Sequence, residues 1–204
     1  MSHRVGPGAT HRVRRAWIGW WVALLATHLA GCVTADGVLR ADGTATLALT
    51  YAAHPGSTEA MHRERLTAPG VTVESLSIGS DHKVSAKLLV TDLAAIGKTA
   101  LLKDVTVTAS KEGEARTLTI GVKVKPPPRK PEDKSLPGPS IRVTLPGKIL
   151  DATKPGVVDG ATVKWTFPLA DWLERTDWQL TARYQPSEAT PPATQPEAPA
   201  AKPE

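Results

Sequence analysis

The feature that most constrains this chain is a recurring alternation of apolar and polar residues at period two. Leu47, Leu49 and Tyr51 fall on one face of an extended run, and Thr46, Ala48 and Thr50 on the other. Val84, Ala86, Leu88 and Val90 repeat the pattern, as do Leu118, Ile120, Val122 and Val124. Successive side chains of a strand point to opposite faces, so each run predicts a half-buried strand with one apolar side. Turn signals stand between the runs: Asp42-Gly43, His54-Pro55-Gly56, Pro69-Gly70, Gly113 and Asp159-Gly160. Further strands are predicted over 71–78, 104–110, 141–145, 163–167 and 178–184. In the first of these the apolar phase slips between Val73 and Leu76, which predicts a bulge.

Helical patterns are short. Ser57 is placed to cap a helix from Glu59 to Leu66 that packs by a narrow side carrying Met61 and Leu66. A second helical stretch is predicted over 93–102, with Gly97 as a break, and a helical turn over 168–174. Residues 126–139 hold six prolines, which rules out a helix or a central strand there, so this is an extended excursion. The expected fold is α+β: a single domain with a mostly antiparallel sheet of about eight strands and two short helices.

The first 31 residues are of a different kind. Arg4, Arg12, Arg14 and Arg15 precede an apolar run from Ala16 to Ala26, and no acid occurs among them. A basic start, a short apolar middle and small residues before a cut make a secretory signal. The run falls short of the roughly 20 residues that span a bilayer as a helix. Leu29, Ala30 and Gly31 then precede Cys32, the only cysteine of the chain. Leu-Ala-Gly-Cys resembles the lipobox of bacterial lipoproteins, which implies cleavage before Cys32 and a lipid on its sulfur. No Asp follows the Cys, and Val33 in that place implies the outer membrane in a source that has one.

Charge separates along the same boundary. The chain has 25 Lys and Arg against 20 Asp and Glu. Four of the arginines lie in the signal, which leaves 21 bases and 20 acids in the remainder. That balance is no electrostatic footprint for nucleic acid. The expected organisation is therefore a signal over 1–31, a lipidated tether over 32–37 and a domain over 38–185. A Pro/Ala-rich tail over 186–204 has too little apolar surface to offset the entropy of ordering.

Three pieces of punctuation occur in a suggestive order behind the lipobox: Asp42-Gly43-Thr44 before a long strand, Leu145-Pro146-Gly147, and Asp159-Gly160-Ala161-Thr162-Val163-Lys164-Trp165. With a helix and a hairpin between them, they make residues 33–185 resemble the LppM-like domain of bacterial lipoproteins. The resemblance implies a compact α+β domain at a membrane surface that binds a lipid or glycolipid. It carries over no catalytic residues. The chain departs from the longer pattern in having no apolar segment after the domain, which leaves Cys32 as its anchor.

No catalytic motif, cofactor fingerprint or metal-ligand spacing stands out. The three histidines after the signal are His54, His62 and His82, and His62 beside Glu59 and Glu64 fits a solvated helix face better than a metal pair. Lys123, Lys125, Arg129 and Lys130 cluster around the Pro-rich excursion as a contact for anionic headgroups or an acidic partner, or as a solvated loop. Trp165, Trp172 and Trp178 fit core positions better than a pocket. The expectation is a non-enzymatic, membrane-anchored envelope lipoprotein without cofactor or metal that binds a lipid or glycolipid. The alternatives are a module docking to an envelope protein, and an enzyme with an unrecognised site using His54 or His82.

Overall fold

The computed structural model describes residues 33–125 and 136–187. The lipobox residues Leu29, Ala30, Gly31 and Cys32, the cations Arg129 and Lys130, and the tail from residue 188 lie outside the described residues.

The expected α+β fold is incorrect. The described chain is 57% strand and 14% helix, and its strands form two sheets, not one. β1 (Thr34–Leu39), β2 (Ala45–Ala52), β3 (Val71–Ile78) and β4 (Lys83–Val90) join β7 (Pro137–Thr144), β9 (Val157–Asp159) and β10 (Thr162–Pro168) in the larger sheet. Its order is β3-β4-β2-β1-β7-β10-β9. The smaller sheet runs β5 (Val105–Glu112), β6 (Ala115–Lys123), β11 (Asp177–Pro186) and β8 (Gly147–Ala152) in the order β5-β6-β11-β8. All pairings are antiparallel except β1 with β7, which run parallel.

Two strands escape the sequence pattern for physical reasons. β8 buries only Gly147 and Ile149, and β9 is exposed throughout, so neither shows the alternation of a half-buried strand. Leu145-Pro146-Gly147 reads as a strand end, and it is in fact the corner between β7 and β8. The predicted helix over 93–102 is a 3-10 helix limited to Leu93–Lys98. Alternation also names the inward face of each strand without naming the sheet, so two facing sheets look like one from sequence.

Two further expectations are corrected: the helix over Glu59–Leu66 is capped by Thr58, whose hydroxyl accepts from the Met61 amide, and not by Ser57, and the Pro-rich excursion ends at Pro137, where β7 begins as a central strand despite Pro137 and Pro139. The bulge and the first turn agree with expectation. The phase slip in β3 is a register shift between Val73 and Ser75 against β4. The Asp42-Gly43 turn joins β1 to β2, with Gly43 at φ 87° and the Asp42 carboxylate accepting from the Thr44 amide at 2.9 Å. β1 starts at Thr34, inside the span expected as tether.

The core lies between the sheets. On the larger sheet Val163, Trp165 and Phe167 of β10 are buried with Val143 of β7. The smaller sheet answers with Leu118, Ile120, Leu180, Ala182 and Tyr184. Trp165 is wholly buried and its indole N–H donates to the Thr153 carbonyl at 2.9 Å. Trp172, on the last helix (Leu169–Glu174), stacks on Trp178 with centroids 5.1 Å apart, and Phe167 packs against both. Over β3 and β4 the cover is helical. The first helix (Glu59–Leu66) packs on β3 through the buried pair His62 and Leu66, four residues apart and so on one face. Met61, expected on that side, is exposed instead.

Candidate functional site

Where β1, β2 and β7 of the larger sheet face the smaller sheet, the two faces do not close on each other. A cavity of about 650 Å³ remains, within the roughly 300–1,000 Å³ usual for small-molecule sites. Its floor is the inward face of β1, β2 and β7, with Ala35, Leu47, Leu49 and Ile141. Its roof is Val105 and Val107 of β5 with Ile120 and Val122 of β6. Small residues on β1 keep it open. Gly37 has no side chain where a Cβ would find only ordinary contacts at 3.8–3.9 Å, and Ala35 contributes a single methyl.

Burial along the strands shows which end opens. At one end the inward residues Leu39, Ala45, Leu118 and Val143 are buried. Toward the other end Val33, Ala35, Val105, Val122, Val124 and Ile141 are only partly covered, although all belong to the inward apolar set. Each sheet holds its own side of that end: the Ser140 amide donates to the Val33 carbonyl at 2.9 Å in the larger sheet, and the Val124 amide to the Thr176 carbonyl at 2.7 Å in the smaller. The mouth therefore lies where β1 begins and β6 ends. Apolar surface left in contact with water costs roughly 25 cal/mol per Å², so an apolar guest here gains what the protein's own side chains leave unmade.

One polar device stands at the mouth. After Tyr51 the chain leaves β2, turns through 53–58 and folds the first helix back, which brings His62 onto the tyrosine. The Tyr51 hydroxyl lies 2.9 Å from His62 Nδ1, and His62 Nε2 lies 2.9 Å from Ser57 Oγ. Ser57 Oγ donates to the His54 carbonyl at 2.7 Å. That last bond fixes the order of protons. Ser57 must accept from the His62 Nε2–H, which leaves Nδ1 to accept from the Tyr51 O–H. Every hydrogen of the chain is then used with a neutral imidazole and a neutral phenol. In this order the Ser57 proton points at a carbonyl and away from the imidazole, so the hydroxyl is not activated as a nucleophile.

The electrostatics agree with that assignment. Burial, and to a lesser extent the Arg65 guanidinium, lowers the pKa of His62 below its ordinary 6.5. Burial pushes the Tyr51 phenol up to about 12, with Arg65 opposing it. Both groups are held uncharged around neutral pH.

The rim is cationic. Lys103, Lys123, Lys125 and Arg65 border the mouth, with Asp104 as the acid among them. The ion pairs found among the described residues involve Lys83, Lys87, Lys98 and Arg142, so none of the rim cations is paired in this way. Two of the four cations singled out from sequence, Lys123 and Lys125, are thus brought to the cavity. Lys103 is an addition that sequence clustering missed, because it comes from the chain before β5 some twenty residues away. The Tyr51–His62–Ser57 chain was also missed: it depends on how the 53–58 turn folds back, and no spacing motif encodes that. Trp172 lines the cavity near its mouth, whereas Trp165 and Trp178 belong to the core. Among the described residues no three His, Cys, Asp or Glu side chains converge as metal donors, and both His62 ring nitrogens are engaged.

Comparison with known proteins finds no matching family model and no matching curated protein.

Proposed function

We propose that the protein is a non-enzymatic envelope lipoprotein, anchored through Cys32, that binds a lipid or glycolipid in the cavity between its two sheets. The observation that carries this reading is the cavity itself: apolar on both faces, open at one end, and large enough for the apolar part of such a ligand. The lysines Lys103, Lys123 and Lys125 gather at the open end, which suits an amphiphile with its chain inside and its head at the rim. The LppM-like resemblance implies the same class of ligand.

Native mass spectrometry of the protein purified from a bacterial host tests it. The wild-type chain is expected to retain a non-covalent lipid. Ala35→Phe places a ring in the cavity and should abolish retention while leaving the sheet signal in circular dichroism intact. Equal lipid occupancy in both proteins contradicts the assignment of the site.

One observation favours docking to a protein as a second reading. Leu150 (46% exposed), Val157 (69%) and Val158 (44%) lie on β8 and β9, which neighbour each other at the edges of the two sheets. These three residues form a much smaller apolar surface than the cavity, which keeps lipid binding first.

A further inference from the structure

The placement of the mouth bears on how the protein meets its membrane. We infer that the open end of the cavity, with its ring of Lys103, Lys123, Lys125 and Arg65, is the face that docks on an anionic lipid surface. The inference rests on the proposed lipid anchor at Cys32 and on lipid binding in the cavity.

Three observations point the same way. The first is the tether. β1 starts at Thr34, and Val33 is already part of the mouth, its carbonyl bonded to the Ser140 amide. One residue of chain spans at most about 3.3–3.6 Å, so an anchor on Cys32 holds the mouth within a single residue's reach of the headgroup layer. With so short a tether the domain cannot turn its opposite end to the bilayer.

The second observation is charge. Four cations border the mouth against Asp104 and Asp177, the latter the cross-strand neighbour of Lys123, and among the described residues none of the four is engaged in an ion pair. The opposite end of the molecule is built from the β1–β2 turn and the β5–β6 hairpin. There Asp42, Glu112 and Glu114 stand with Arg40, Lys111 and Arg116, a balanced set. An anionic leaflet attracts the first end and not the second.

The third is chemistry at the rim. Met61 is half-exposed and lines the mouth beside the 54–57 turn, so an apolar side chain is available to enter the interface between the lysines. A ligand could then pass between bilayer and cavity without crossing water.

The test uses the full-length protein reconstituted in vesicles of phosphatidylcholine with phosphatidylglycerol, some of the lipids carrying a spin label at the headgroup. A fluorophore is attached to Pro55→Cys at the mouth or to Glu112→Cys at the far hairpin, and acylation of Cys32 is read by mass on the same samples. The expected result is quenching several-fold stronger at residue 55 than at residue 112. The combined change Lys103→Glu, Lys123→Glu and Lys125→Glu should remove the dependence of that quenching on phosphatidylglycerol. Acylated protein with equal quenching at the two positions, or stronger quenching at 112, overturns the docking face and leaves lipid binding standing. Protein that carries no lipid on Cys32 and stays off the vesicles overturns the anchor, and the docking face with it.

Discussion

His62 shows how much a single polar residue can depend on its neighbours. It is 3% exposed, yet both ring nitrogens are bonded, so its burial costs little. Tyr51→Phe removes the donor to Nδ1 and leaves a buried acceptor unmatched, a loss of about 1–3 kcal/mol that denaturant melts would register. The same residues set a pH window. The folded state disfavours the proton on His62, so an unfolded chain binds it more readily once the pH falls below the ordinary 6.5. Stability should therefore be full above that value and decline as the pH drops through the lowered folded value. At the alkaline end the raised Tyr51 pKa means stability is lost as the pH climbs from 10 toward about 12. Urea melts from pH 5 to 8 on the wild type and His62→Gln check the acid limb, since the variant should lose this contribution to the slope. None of this was legible in the sequence. The helix pattern set His62 beside Glu59 and Glu64 as a solvated face, whereas the inward side is the one that carries His62 and Leu66. The four-residue spacing was visible, but a histidine carries no apolar signal.

At the scale of elements, β11 carries the most weight. It lies between β6 and β8 in the smaller sheet, paired along eight positions with one and five with the other. Deleting the chain from Trp178 onward removes that strand and should abolish cooperative unfolding. Deleting residues 188–204 should change stability by no more than roughly 0.5 kcal/mol, as exposed changes usually do. Melts of the two truncations compare them directly, and equal damage from the shorter deletion would make the tail part of the fold. β11 was legible because Trp178, Leu180, Ala182 and Tyr184 alternate without a break and all four are buried. The bulge in β3 was legible for the same reason: an extra residue on one side of a pairing shifts the inward phase of every residue after it. β8 was not, because its pairing rests on a backbone contact: a Cβ on Gly147 would collide with the Gln185 carbonyl oxygen and lie 2.7 Å from Pro186 Cα. Close approach of two backbones leaves no apolar pattern behind, only a glycine that reads as a turn.

For the whole molecule, the decisive fact is the gap between two sheets whose inward faces were each readable in advance. Leu49, Ile120 and Ile141 all fall on the apolar faces of their alternating runs, but periodicity does not report the distance between faces. Only the small residues Ala35 and Gly37 hinted at it, and a glycine two places after an alanine in a strand has many meanings. The α+β expectation failed at this scale too, because counting strands does not partition them into sheets. The functional account stands on that gap holding a lipid chain. Methyl-resolved NMR of the full-length protein, titrated with phosphatidylglycerol, measures it most directly. The account predicts cross-relaxation between acyl protons and the methyls of Leu49, Val107, Ile120 and Ile141. Contacts confined to Leu150, Val157 and Val158, or none at all, would contradict it.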